Sequence, residues 1–169
     1  GNGSWTIGAD DYSYALEGYL LLQSGENPIS VWFSPIGNYF LLERPNSALY
    51  NWWNMLWMYL IKPMYFAPVI ANVSTTVVSG YFFYKILAIL GFSQTYRIGF
   101  ACFYLLHWHT LAWSSFLNIK EPLIVLLMLL IIYSILCLEK RKWGFIIPLS
   151  IGVLLMQWLR FYTPALIGG

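Results

Sequence analysis

Charge is what this chain has least of. Acidic and basic residues make up only 9% of its 169 residues, where a soluble domain carries roughly 25%. Hydrophobic residues reach 59% and mean hydropathy is +0.62, too apolar for an ordinary water-facing surface. The motifs of soluble chemistry are missing as well: there is no phosphate-cradling glycine loop, no HExxH and no CxxC. A nucleotide-sugar site of the Rossmann kind is therefore excluded from this stretch. No basic stripe is interleaved with exposed aromatics, which excludes nucleic acid as a partner. The only two cysteines, Cys102 and Cys137, fall in separate apolar runs and read as small buried apolar residues, not as a disulfide or metal pair.

What is present is a set of four long uncharged runs, Pro63 to Tyr84, Ile98 to Ile119, Pro122 to Leu138 and Trp143 to Leu159. At about 1.5 Å rise per residue even the shorter two reach nearly across a hydrocarbon core of about 30 Å. The expected fold is therefore all-α: a polytopic membrane protein with about four transmembrane helices, spanning 64–90, 98–117, 122–138 and 143–160. Residues 63–169 form this bundle, and residues 1–62 form a separate first loop of short amphipathic helices.

Basic residues set the orientation. Lys85 and Arg97 flank the turn between the first two spans, and Lys140, Arg141 and Lys142 sit between the last two, with Glu139 as their one acid. By the positive-inside tendency these loops are cytoplasmic. The first loop, residues 118–121 and the Arg160 end then lie outside. The first loop carries the turn-rich stretch Ser24 to Pro28, the loop Ser34 to Asn38, and aromatic runs at Trp52-Trp53 and Trp57 to Tyr59. Such density suits an extracytoplasmic segment lying along the headgroups.

Residues 10–25, DDYSYALEGYLLLQSG, read as a short helix entered at an acidic pair and ended by Gly25 at C′, with Pro28 beyond. Asp10, Tyr14, Glu17 and Leu21 share one face. Asp11 is a candidate N-cap, which leaves Asp10 without a structural duty. A carboxylate at the water–membrane boundary can act as general base once partial desolvation raises its pKa. Its partner would be a positive site for a departing anion, and Lys120 and Arg160 stand at span ends on the same face. Each is equally accounted for by snorkelling to the headgroups. Lys120-Glu121-Pro122 also makes a favourable helix start, with Pro in the first turn and Glu beside the positive dipole end. His107 and His109, two apart on an expected helix, point to nearly opposite sides, so they read as interior packing or hydrogen-bonding residues and not as a metal pair.

Asp10, Asp11, Tyr14 and Ala15 match the pattern Asp-Asp/Glu-x-x-Tyr-Ala, and Lys120-Glu121-Pro122 before LIVLLMLLIIY is similar to a Lys-Asp-Pro triplet leading into a leucine-rich span. On these residues the chain resembles the GT-C superfamily of integral-membrane glycosyltransferases, in the branch of the protein O-mannosyltransferases and lipid A aminoarabinose transferases. The resemblance implies transfer of a sugar from a polyprenyl-phosphate donor to a lipid, glycan or protein acceptor, with inversion, at the extracytoplasmic face of a bacterial inner membrane. It implies Asp10 as catalytic base, with Asp11 beside it, and Tyr14, Lys120, Glu121 and Arg160 as substrate-binding residues. Lys120 or Arg160 would hold the lipid phosphate. Glu121 departs from the family's Asp, so no metal is assigned there; a divalent cation would be compatible, and none is required.

Two other classes fit the composition. A transporter or lipid flippase places ionisable groups near the bilayer midplane, whereas these spans carry no Asp, Glu, Lys or Arg in their centres. A non-catalytic assembly subunit would need nothing beyond membrane packing. The start at Gly1 and the end at Gly169 beside a span are expected of a piece of a longer polytopic protein.

Overall fold

The computed structural model of the chain describes residues 9–37 and 48–159. Arg160 lies outside them, and the Asp10 and Asp11 side chains are likewise outside the description. Every regular element among the described residues is helical: α1 (Ala9–Gln23), α2 (Ala48–Leu60), α3 (Phe66–Ile89), α4 (Gln94–Leu106), α5 (Trp108–Ser115), α6 (Glu121–Glu139) and α7 (Ile146–Gln157), with 3-10 turns at Ser30–Trp32 and Trp143–Phe145.

Two helices, α3 and α6, are long and apolar enough to cross a membrane. They make the most extensive helix pair among the described residues. Small residues explain how α3 is approached: Ala67, Ala71, Thr75 and Ser79 recur every fourth position and are all buried, the small-xxx-small pattern that lets helix backbones come close in lipid. The buried hydroxyls do not go unpaired. Thr75 donates to the Ala71 carbonyl at 2.8 Å and Ser79 to the Thr75 carbonyl at 2.9 Å, one turn back along the helix. Asn72, near the start of α3, bonds to Ile119 just before α6, and Lys140, just after α6, bonds to Ile89 at the end of α3. The two long helices therefore run parallel.

The other two apolar runs are shorter as helices than their composition predicts. At His107 the backbone turns extended, with ψ 133°, which splits the 98–117 run into α4 and α5. The 143–160 run opens with a 3-10 turn before α7. The break also changes what the histidines do. Their rings stack at 5.3 Å and 18°, and both are exposed, so the expectation of opposed, interior side chains does not hold. Cys137 is buried as expected, whereas Cys102 is exposed.

At the other end of the sequence α1 packs against α2. The helix is already formed at Ala9, so neither Asp11 nor Asp10 is its N-cap. Gly18 permits the crossing: a Cβ there would lie 2.8 Å from Asn54 Cβ and 3.0 Å from the Met55 backbone nitrogen. Tyr14, Leu49, Tyr50, Leu123, Leu127, Ile131 and Met156 join α1 and α2 to α6 and α7 in one apolar core.

Both α3 and α6 end in the same turn. Phe92 N–H bonds to the Leu87 carbonyl after α3 and Lys142 N–H to the Cys137 carbonyl after α6, at 3.1 Å in each case. The left-handed position is Gly91, φ 87°, in the first turn and Arg141, φ 58°, in the second. A residue with a Cβ costs roughly 1–2 kcal/mol there.

Candidate functional site

A polar cluster gathers at the Lys120 end of the bundle, where α1, α2, α3 and the α5–α6 loop meet. Its centre is a closed ring of hydrogen bonds among fully buried side chains. The Tyr50 hydroxyl donates to Asn118 Oδ1 at 2.8 Å, and Asn118 Nδ2 donates to Asn54 Oδ1 at 2.6 Å. Asn54 Nδ2 then donates to the Tyr50 backbone carbonyl at 2.8 Å, which closes the ring. Asn72 Nδ2 donates to the Tyr50 hydroxyl at 2.9 Å and to the Ile119 carbonyl at 3.1 Å. Each bond fixes which end of an amide faces its neighbour, so the amide orientations depend on one another. The ring pins residues 118 and 119 and, with them, the start of α6.

Lys120 is held over the Tyr14 ring, its ammonium 5.8 Å from the centroid. Tyr14 meets Tyr50 edge to face at 5.0 Å. Two of the residues singled out in the sequence, 106 positions apart by number, thus meet directly, and Tyr50 joins the same contact network through Tyr14. Glu121 opens α6 in its first turn, with Pro122 after it, as the sequence reading expected. Asp10 precedes Tyr14 by one helical turn along α1. Glu17, one turn beyond Ser13, accepts from the Ser13 hydroxyl at 3.2 Å and from the Asn51 amide.

The Asn51 and Asn72 carbonyl oxygens are buried and have no donor. The cluster therefore keeps acceptor capacity beside a fixed cation and a half-buried carboxylate. It combines groups that orient hydroxyls with one that attracts an anion. Among the described residues no three of His, Cys, Asp and Glu stand together as a metal cage.

Tyr50, Asn51, Asn54 and Asn72 were not singled out by sequence reasoning. A clue was available: Asn72 lies inside an otherwise uncharged apolar run, and Tyr50 and Asn54 are one turn apart on an aromatic helix. Arg160 is outside the described residues. Nearby, the Leu49 N–H bonds to the Trp158 carbonyl at 3.4 Å, which brings the end of α7 to the start of α2.

A second feature lies elsewhere. Phe83, Phe100, Phe103, Tyr104, His107 and Thr110 line an apolar cavity of about 430 Å³ beside the α4–α5 break. Its walls offer little for polar chemistry. On the loop after α1, Glu26 accepts from the Ser30 hydroxyl at 2.6 Å, and the Ser30 and Ser34 hydroxyls hold its carboxyl below the ordinary range.

The chain matches no protein-family model, no curated protein and no solved structure.

Proposed function

We propose that the protein is an integral-membrane glycosyltransferase that moves a sugar from a polyprenyl-phosphate-linked donor to an acceptor hydroxyl or amine outside the cytoplasm. The observation that carries this reading is the direct contact of Lys120, from the Lys-Glu-Pro helix start, with the ring of Tyr14, from the acidic-pair helix, against which Tyr50 packs edge to face while bonding to Asn118. These are the two motifs on which the family resemblance rests, and their meeting supports a common site.

In this mechanism the acceptor oxygen or nitrogen attacks the anomeric carbon while the bond from that carbon to the phosphate oxygen breaks. The Asp10 carboxylate takes the acceptor proton, with Asp11 beside it. Lys120 stabilises the negative charge that develops on the departing phosphate, the electrostatic contribution that usually dominates. Arg160 is a second candidate for the phosphate, and Tyr14 and Glu121 line the substrate side.

The membrane placement assigns four crossings: α3, α4 together with α5, α6, and the Trp143–Phe145 turn together with α7. Only 39% of the most apolar stretch of α6 is buried in the molecule, and 50% of that of α3. Surfaces this apolar and this open fit lipid contact better than the core of a soluble domain. The cluster lies at the end of the bundle away from five of the nine basic residues, which supports an extracytoplasmic site in a bacterial inner membrane.

One observation favours a transporter or lipid flippase instead: the broken helix at His107 with an apolar cavity beside it. Replacement of Asp10 by Asn in the full-length protein separates the two. The transferase reading expects sugar transfer to fall about 10²–10⁴-fold with expression unchanged. Retained transfer removes Asp10 from the mechanism. Lipid movement across the bilayer without any transfer activity in the unaltered protein supports the flippase.

A further inference from the structure

We infer that the opposite end of the bundle binds the phosphate headgroup of an anionic phospholipid between the α3–α4 and α6–α7 turns. Five basic residues lie in or flank these two turns, Lys85 and Arg97 on the helices either side of the first and Lys140, Arg141 and Lys142 in the second, against the single acid Glu139. Lys140 ties the turns to each other by donating to the Ile89 carbonyl at 3.3 Å. Arg97 is laid over the Tyr84 ring, 5.1 Å from guanidinium carbon to centroid, and its Nε is buried without an acceptor. Lys85 is held over Tyr81 in the same way at 5.3 Å. Trp143 beside the second turn is 70% exposed, and Phe92 in the first is exposed too. Aromatic side chains of that kind sit at headgroup level.

Basic residues at helix C-termini have an ordinary reason to be there, because they offset the dipole. Arg141 goes beyond it. In two turns of the same geometry, one uses Gly91 at the left-handed position and the other uses Arg141, φ 58°. A dipole partner could stand at any neighbouring position, and glycine would suit the backbone better. An unfavourable residue at such a position points to a use for its side chain. A planar guanidinium matches the two free oxygens of a phosphodiester, and the flanking lysines add point charge. Basic pockets between membrane helices recognise anionic headgroups in this way.

The inference rests on the membrane placement proposed above and not on the transferase chemistry; retention of the protein in membranes after alkaline carbonate extraction tests that placement separately. The test of the site is thermal unfolding of the purified protein in zwitterionic detergent with dioleoylphosphatidylglycerol, dioleoylphosphatidylcholine or inorganic phosphate added. Phosphatidylglycerol is expected to raise Tm by several degrees, and phosphatidylcholine and inorganic phosphate are not. Arg141→Gly is expected to match or exceed the unaltered protein without lipid and yet to lose at least half of the phosphatidylglycerol shift. Lys142→Gln, at a position with no backbone strain, should lower the shift as well. Equal stabilisation by phosphatidylcholine or by free phosphate overturns the proposal. So does an Arg141→Gly variant that keeps the full shift, or one that is destabilised without lipid while Lys142→Gln keeps the full shift.

Discussion

The Lys120 ammonium lies 5.8 Å from the centroid of the Tyr14 ring, across the junction of α1 and the start of α6. A contact of this kind, half-buried, contributes about 0.5–2 kcal/mol. It is measurable as a coupling. Tyr14→Leu, Lys120→Gln and the double variant should show an interaction energy of about 0.5–1 kcal/mol in denaturant unfolding. Additive single effects would mean that the two side chains do not act together. In a transfer assay Lys120→Gln should lower kcat about 10²–10³-fold if the ammonium faces the departing phosphate.

Tyr50 carries more of the site than its position in an aromatic run suggests. Tyr50→Phe removes the hydroxyl that donates to Asn118 and accepts from Asn72. The buried Asn118 oxygen is then left without that donor, at a cost of about 1–3 kcal/mol. The expected result is a lower Tm together with faster amide exchange at residues 118–120. Asn72→Leu should act in the same direction, because it also frees the Ile119 carbonyl.

Two glycine substitutions should have opposite signs. Gly18→Ala places a Cβ 3.0 Å from the Met55 backbone nitrogen, which cannot move aside, and overpacking there should cost about 1–3 kcal/mol. A Cβ at Gly99 meets nothing within 4 Å. Gly99→Ala should therefore stabilise α4 by up to about 1 kcal/mol through helix propensity. Chemical unfolding of both variants checks the pair, and a neutral Gly18→Ala would mean that α1 and α2 do not cross this closely.

Topology can be read by thiol labelling in whole cells, with the exposed Cys102 first replaced by Ser. Asn118 is a poor labelling position, since it is 0% exposed and inside the ring. Phe116 is 60% exposed in the same loop. Phe116→Cys should react with an impermeant reagent from outside and Lys140→Cys should not. The reverse pattern would invert the bundle.

Glu26 supplies a pH dependence. The Ser30 hydroxyl and then that of Ser34 depress its pKa from the ordinary 4.5. A depressed carboxyl stabilises the folded loop fully above the unfolded value and loses that contribution as pH falls through the folded one. Ser30→Ala should raise the Glu26 pKa toward 4.5 in an NMR titration. The same substitution should flatten any acid-induced loosening of residues 26–34. An unchanged titration would remove Ser30 as the cause.

Much of the α1 segment was legible because its signals are local. Gly25 adopts φ 85° just past Gln23, where a C′ glycine was expected. Pro122 and Glu121 likewise mark the start of α6 by chemistry that acts within one turn. The split at His107 was not legible. Neither Leu106 nor Trp108 is a helix breaker, so nothing in the residues themselves marks the extended backbone between them.

The polar ring shows the same boundary from the other side. Its members come from positions 50, 54, 72 and 118, and no short-range pattern links an asparagine in an apolar run to a tyrosine many residues earlier. Side-chain hydrogen bonds of that range exist only once the helices have packed.

What the sequence determined by itself is the all-helical character, the four long uncharged runs and the clustering of basic residues in and beside two turns. Each of these follows from composition and from propensity acting over a single element. That only two of those runs are single long helices among the described residues was decided by the structure. Only the tertiary structure decided that Tyr14 and Lys120 meet, that Tyr50 packs against Tyr14 beside them, and that Arg141 occupies a position glycine would fill with less strain. Those facts depend on how helices cross and turns close, and the crossing is set by small residues such as Gly18 and Ala71 together with the partners that fill the space they leave.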